Sequence, residues 1–282
     1  MRAGGRAVKC RLRIVAVVLV LLTSFSAVLL AQTTAREELN LGAQAYRQSK
    51  YDEAIQHFEK CVALAPENTV AHLYLATAYA QQYIPGAETP ENIRMAEQAI
   101  THYHHVLDGD SASSARIDST KGIAYLYLQM KKFDDSKKYY RMASDLDPDD
   151  PETYYSIGVI DWTLTYVPRQ EVRARLGMKP EDSLPAMHKG VCAEMKEKNT
   201  SNVQEGIDNL NKALQLRPDY DDAMAYMNLM YRERADIECD DPAARDADLK
   251  TADDWVDKTM ATKKAKAKKA ERSTEPAATN PQ

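Results

Sequence analysis

Two groups of histidine and cysteine residues have the types and spacing that could support chemistry. His102, His104 and His105 are close together in the sequence, and His102 and His105 would share one face of a helix. Imidazole nitrogens arranged in this way can bind a metal ion such as zinc. His188 and Cys192 are four residues apart, which could bring an imidazole next to a thiol and activate it as a nucleophile.

Neither group is accompanied by the other residues that its chemistry needs. No neighbouring residue would orient His188, and the acidic run from Asp236 to Asp241 lacks the turn glycine and closing glutamate of a calcium loop. The sequence contains no phosphate-binding glycine loop, zinc-protease helix motif or nucleophile elbow. We therefore predict no enzyme activity, no catalytic residue, no metal and no cofactor. A thiol- or metal-dependent enzyme is the alternative.

The elements available to position functional residues are amphipathic helices. Ala54, Phe58 and Cys61 recur at spacings of four and three, so they share one helix face. Ala54 and Cys61 are small, which lets a second helix approach closely, and Pro66 prevents the helix from continuing. The chain has only 10 glycines in 282 residues, which argues against a protein rich in sheet or loops.

This pattern resembles the tetratricopeptide repeat (TPR), a helix-turn-helix unit of about 34 residues. The same offsets return in Tyr140, Ala143 and Pro148, and in Leu210 and Ala213. The resemblance implies an all-α, right-handed solenoid of about five such repeats with insertions and a C-terminal capping helix. The solenoid would occupy 32–270, with repeats at about 35–68, 69–113, 117–150, 151–220 and 221–262.

A long insertion at 164–202 interrupts the fourth repeat. It is too long for a bare loop, and 171–176 and 190–198 are predicted to be short helices within it. Insertions in neighbouring repeats would project from the same edge of the stack, which places Cys192 and Cys239 near each other. Outside the cytoplasm such a pair can oxidise, so a Cys192–Cys239 disulfide is possible, and two unrelated thiols are the alternative.

In TPR proteins the first helix of each repeat lines a concave face that commonly binds peptides. By analogy of offset, the groove residues here would be Leu39, Tyr46, Leu73, Lys121, Tyr125, Leu128, Tyr155, Trp162, Leu229 and Arg232. Aromatic side chains with a polar tip suit peptide binding because they supply a large contact area at a small entropic cost. The alternative is that several of these residues pack against the next helix or against the long insertion.

Some TPR proteins use groove asparagines to hold a C-terminal carboxylate. The corresponding positions in this chain are Ala43, Thr77, Tyr125, Val159 and Leu229. None of these is asparagine, so the resemblance does not extend to that mode of binding.

Residues 1–31 have the pattern of an export signal, with five basic residues, no acid and an apolar run at 14–31. They would form a signal peptide or, uncleaved, an N-terminal membrane anchor. The folded part would therefore be periplasmic or secreted, or anchored to the inner membrane by 14–31. The segment 271–282 is low in apolar residues and contains two prolines, so it is predicted to be a disordered tail.

The charge of the chain restricts its partners. The net charge of −5 becomes −10 when the five positive charges of 1–31 are removed. Such an acidic chain is a poor candidate for nucleic acid, because nucleic-acid affinity comes mainly from neutralised phosphates. We predict a protein or peptide partner and no nucleic acid. Membrane contact would occur only through an uncleaved N-terminal segment. The sequence does not determine the oligomeric state.

These observations together predict a non-enzymatic interaction or assembly scaffold outside the cytoplasm, with its partner segment on the concave surface. The alternative of another class is a structural envelope component that acts through the insertion edge and the basic tail at 263–282.

Overall fold

The computed structural model describes residues 34–179 and 182–274, except for the side chains of Pro185 and 272–274. The predicted export signal at 1–31 and the end of the predicted tail at 275–282 lie outside the described residues. Within 34–179 and 182–274 the regular structure is helical, with no strand. The helices are 34–47 (α1), Tyr51–Leu64 (α2), Thr69–Gln82 (α3), Pro90–Asp108 (α4), Ser113–Gln129 (α5), Phe133–Leu146 (α6), Pro151–Arg175 (α7), Leu184–Met187 (α8), Lys189–Leu216 (α9), Asp221–Asp236 (α10) and Pro242–Thr274 (α11).

The chain divides into two units, Met1–Met130 and Lys131–Gln282. Within each unit, helices that follow one another in the sequence pack side by side, as in a helical-repeat protein. The predicted all-α, TPR-like fold is therefore confirmed. None of the helices in the described ranges is both long and apolar enough to cross a membrane.

The core of the first unit follows the sequence pattern. Ala54, Phe58 and Cys61 are buried on α2 and face the neighbouring helices. α1 approaches α2 so closely that a Cβ atom at Gly42 would lie 2.5 Å from the Phe58 ring. The turn between them passes through Ser49, which has a positive φ of 60°. This close approach requires a residue without a side chain at position 42.

Hydrogen bonds between side chains tie α2 to both of its neighbours. The imidazole Nδ1 of His57 lies 2.6 Å from a carboxylate oxygen of Glu38 on α1. The hydroxyl of Tyr79 on α3 donates to Glu59 at 2.6 Å. These polar contacts fix the positions of three successive helices around the small-residue core.

The insertion in the second unit is mostly helical, which corrects the prediction. α7 continues to Arg175 through Pro168, and α9 already begins at Lys189, so 171–176 and 190–198 are not separate short helices. Proline at position 168 removes one backbone N–H. Val172 and Leu176 beyond it pack on the core of the unit, and this tertiary contact stabilises the continued helix.

A disulfide and buried ion pairs connect the extended α7 and α9 to α10. Cys192 and Cys239 are joined by a disulfide, with their Cα atoms 5.7 Å apart. Arg169 on α7 pairs with Glu233 at 2.8 Å and with Asp236 at 2.6 Å on α10. Burial raises the pKa of Glu233 to about 7, although Arg169 opposes this shift.

A second buried ion pair links α6, α7 and α9. The ammonium of Lys137 lies 2.5 Å from a carboxylate oxygen of Asp161, whose residue is completely buried. The same ammonium lies 2.9 Å from Glu205, which also binds Arg141 on the surface. Burial raises the pKa of Asp161 to about 7, and the hydrogen bond from Lys137 lowers it.

The final helix covers α10 as a capping helix should. Arg234 of α10 donates two hydrogen bonds to the carboxylate of Asp248, and Lys266 pairs with Asp221 at 2.5 Å. α11 continues to Thr274. The segment 271–274 is therefore helical, which corrects the predicted start of the disordered tail.

We expect Lys137→Ala to destabilise the second unit by about 3–5 kcal/mol, because it leaves Asp161 buried without its partner. Arg141→Ala is the matched control, since this exposed arginine binds the same Glu205 and should contribute less than about 1 kcal/mol. Both tryptophans, Trp162 and Trp255, belong to the second unit, so urea denaturation followed by tryptophan fluorescence reports on it. Equal stability losses in the two variants would contradict this account.

The disulfide is open to chemical measurement. The chain has four cysteines, so the denatured, unreduced protein should show two thiols, or one if processing removes Cys10. Reduction should lower the unfolding free energy of the second unit by about 2–4 kcal/mol, because the bond restricts the unfolded chain. The same sample after reduction is the control for reagent access. A count of four thiols, or three after loss of Cys10, would contradict the bond.

Candidate binding pocket

The first unit contains an open pocket of about 490 Å³. Its lining residues come from α1 to α5 and are Ala43, Tyr46, Arg47, Phe58, Leu73, Tyr74, Thr77, Tyr103, Asp118 and Lys121. Tyr46, Leu73 and Lys121 were predicted as groove residues from the sequence, and the structure brings these three together. The volume lies within the range of pockets that bind ligands in proteins.

Two of the lining residues are buried aromatic rings, and each lies against a glycine. The Phe58 ring contacts Gly42, and the Tyr103 ring lies where a Cβ atom at Gly122 would be 2.6 Å from its Cζ. Phe58 is 1% exposed and Tyr103 is 5% exposed. The hydroxyls of Tyr103 and Thr77 lie 3.4 Å apart, within hydrogen-bonding distance. Burial raises the pKa of Tyr103, so its hydroxyl is neutral.

The sides of the pocket carry two more aromatic rings. Tyr74 is 42% exposed, and its ring centroid lies 5.7 Å from that of Phe58. Tyr46 is half-buried and contacts Tyr51 edge to face at 5.3 Å. Burial raises the pKa of Tyr46, and Tyr51 adds to this shift. The pocket therefore presents neutral aromatic surface to any group that enters it.

Charged groups lie around this aromatic surface. Arg47 on α1 and Asp118 on α5 are exposed, and Lys121 on α5 is partly buried. Arg47 and Lys121 are cations and Asp118 is the one acid among the lining residues, so the lining as a whole carries one net positive charge.

The other predicted groove residues of the first unit do not line the pocket. Leu39 packs on the buried cluster of Ala35, Cys61 and Ala71. Tyr125 is 49% exposed, and Leu128 is half-buried. Leu39 therefore packs against neighbouring helices, which was the alternative to its prediction as a groove residue.

The predicted groove residues of the second unit contact other side chains of that unit. The Tyr155 ring lies 4.9 Å from Tyr220, and the Trp162 ring lies 5.4 Å from Tyr226. Both also pack against the apolar core. Arg232 pairs with Asp253 at 2.7 Å, and Leu229 is half-buried.

His72, His102 and Cys192 contact neighbouring side chains and backbone groups of the protein. His72 is buried, and its Nδ1 lies 2.9 Å from Nδ1 of His102, while its Nε2 donates to the carbonyl of Pro66. Burial and the neighbouring His72 lower the pKa of His102 to about 4. Cys192 is bonded to Cys239, so it supplies no thiol to His188. Across 34–179 and 182–274, no three histidine, cysteine or acidic side chains are arranged to hold a metal ion.

Sequence reasoning missed several pocket residues. Arg47, Tyr74, Tyr103 and Asp118 were not assigned to the groove, and Phe58 was assigned only to the packing face of its helix. Tyr74 follows Leu73 directly, and Arg47 follows Tyr46, so each is one position from a predicted residue. Extending each predicted position by one residue along the helix would have found Arg47 and Tyr74, whereas Asp118 lies three residues from Lys121.

The comparisons with known proteins agree with this geometry. Tetratricopeptide repeat models match 35–68 and 122–150. The solved structure of MamA protein is similar, with a TM-score of 0.54 and 14% identity, covering 88% of this chain and 98% of that one. A structure of MamA from residue 41 to its end, from Desulfovibrio magneticus RS-1, has a TM-score of 0.53 at 14% identity, covering 82% and 96%.

At this identity the likeness to MamA shows the fold alone. A comparison with curated proteins found no match. The repeat models cover the first helical pair and most of the third, the two stretches in which the pattern of small residues, aromatic residue and closing proline is most regular. Two stretches of the chain, 35–68 and 122–150, therefore match the tetratricopeptide repeat, and the rest of the described chain shares its helical fold.

Proposed function

We propose that this protein is an interaction scaffold outside the cytoplasm that binds a segment of a partner protein in the pocket of its first unit. The TPR fold supports a protein or peptide partner. The observation that carries the proposal is the aromatic pocket of about 490 Å³, in which Tyr46, Leu73 and Lys121 come together. We propose no chemical reaction at this site.

The pocket acts by rigid presentation. Phe58 and Tyr103 are held against glycines of the facing helices, so their positions change little when a ligand enters. A partner segment alone then bears most of the entropic cost of ordering, and this favours binding. Tyr74 supplies the exposed ring surface that the partner covers.

Export is supported by two independent features. The first 31 residues have a basic start and an apolar run, as secretory signals do. The Cys192–Cys239 disulfide is of the kind that persists in oxidising compartments outside the cytoplasm. We therefore propose a periplasmic or secreted location, with anchoring to the inner membrane by 14–31 as the alternative.

The second candidate function is that of a structural envelope component. Lys268 and Lys269 are exposed at the end of α11, beyond the residues that pair with Asp221, and Lys264 is exposed between those residues. Such a basic helix end is suited to an anionic surface, and its binding would weaken as salt increases. Loss of envelope association on deleting 263–282 would favour this function.

We expect the double variant Tyr46→Ala, Leu73→Ala to lose the partner in a pull-down from envelope extract with the full chain as bait. The two changes remove apolar contact area from the pocket, and each truncation at a binding centre weakens binding by about 1–2 kcal/mol or more. Val70→Ala is the matched control, because Val70 is 47% exposed on the same helix as Leu73 and does not line the pocket.

Circular dichroism and thermal unfolding must show that all three proteins fold alike. Mass spectrometry of the captured proteins then distinguishes the functions. A partner held by the control and lost by the double variant supports the pocket. A partner held equally by both contradicts it and moves the site to the insertion edge or the basic end of α11.

A further inference from the structure

We infer that the partner segment presents an aromatic side chain with an acidic residue close to it in the sequence, the ring entering the pocket and the carboxylate pairing with Arg47. This inference rests on the proposed function and adds the chemistry of the occupant. It is argued from the rings, the charges and the opening of the pocket.

The rings of the pocket favour an aromatic occupant. Four aromatic residues line it, namely Tyr46, Phe58, Tyr74 and Tyr103. Tyr74 is exposed and Tyr46 is half-buried, so these two rings present surface that an entering ring can contact. An entering ring can therefore find the edge-to-face or offset contacts that aromatic pairs prefer, worth about 0.5–1.5 kcal/mol beyond area burial.

The shape of the pocket favours a side chain carried on a backbone. The pocket is open to solvent rather than enclosed, so a ring carried on a chain can reach it. Arg47 lines the same pocket as Tyr46 and follows it directly on α1, so its guanidinium is available to a residue next to the entering ring in the sequence.

The charge of the pocket lining favours an acidic residue close to the aromatic residue of the partner. The lining carries one net positive charge, and Arg47 is its exposed cation, whereas Lys121 is partly buried. The chain beyond residue 31 carries a net charge of −10, which disfavours acidic segments elsewhere on its surface. A carboxylate near Arg47 gains an attraction that the rest of the protein does not offer, and this supplies specificity.

The test is selection of a random linear peptide library displayed on phage against the full chain. We expect enrichment of sequences in which Phe, Tyr or Trp has Asp or Glu within about three residues, because three extended residues keep the carboxylate within about 10 Å of the ring along the chain. The same selection against Arg47→Glu should replace the acidic preference with Lys or Arg. Arg36→Glu is the matched control, since Arg36 is exposed on the same helix and does not line the pocket.

An enriched peptide labelled with fluorescein then gives dissociation constants by fluorescence anisotropy. We expect Arg47→Glu to weaken its binding at least about tenfold, as reversal of a close charge pair does at interfaces. Arg36→Glu should change it less than about twofold. Enriched peptides without acidic residues, or equal binding by Arg47→Glu, would overturn the inference.

The variant Tyr46→Ala, Leu73→Ala separates this inference from the proposed function. Enriched peptides that need the pocket but lack the aromatic and acidic pair would overturn the inference and leave the pocket function standing. Peptides that bind this variant as tightly as the natural chain would overturn both. Failure to enrich any sequence above the level obtained with this variant would also overturn both.

Discussion

Close approach of paired helices at single glycines is the constraint on which both units depend. Phe58 lies against Gly42 and Tyr103 against Gly122, and in the second unit Leu210 lies against Gly158. In each case a Cβ atom would come within 2.5–2.6 Å of the facing side chain, so the approach is possible only without one. A helical pair cannot bury its apolar face alone, and this spacing lets each large side chain of one helix reach the backbone of the next.

The same contact has a different consequence in each unit. In the first unit it places two aromatic rings in the lining of an open pocket, with Tyr74 exposed beside them. In the second unit the aromatic residues Tyr155 and Trp162 contact other rings and the core, so their surface is used for stability. The open aromatic pocket therefore lies in the unit in which Tyr74 keeps solvent-facing surface.

The sequence predicted the buried positions better than the exposed ones. Ala54, Phe58 and Cys61 could be placed in the core because helical periodicity and residue size are local properties. The continuity of α7 could not be predicted, because Pro168 is a local signal to stop and the contacts of Val172 that outweigh it are tertiary. The exposure of Tyr74 could not be predicted either, because it depends on how the neighbouring helices pack and where they leave an opening.

The insertion in the second unit is held by covalent and ionic contacts as well as by its packing on the apolar core. Its extended helices are held by a disulfide and by Arg169, whose guanidinium binds two carboxylates of α10. Removal of one partner of a buried ion pair destabilises a protein strongly, yet the intact pair adds little net stability compared with apolar packing. The directional hydrogen bonds of Arg169 instead fix one arrangement of α7 against α10. The disulfide restricts the unfolded chain across 47 residues. The ion pairs of Arg169 therefore fix how the helices are arranged, and the disulfide stabilises the folded unit.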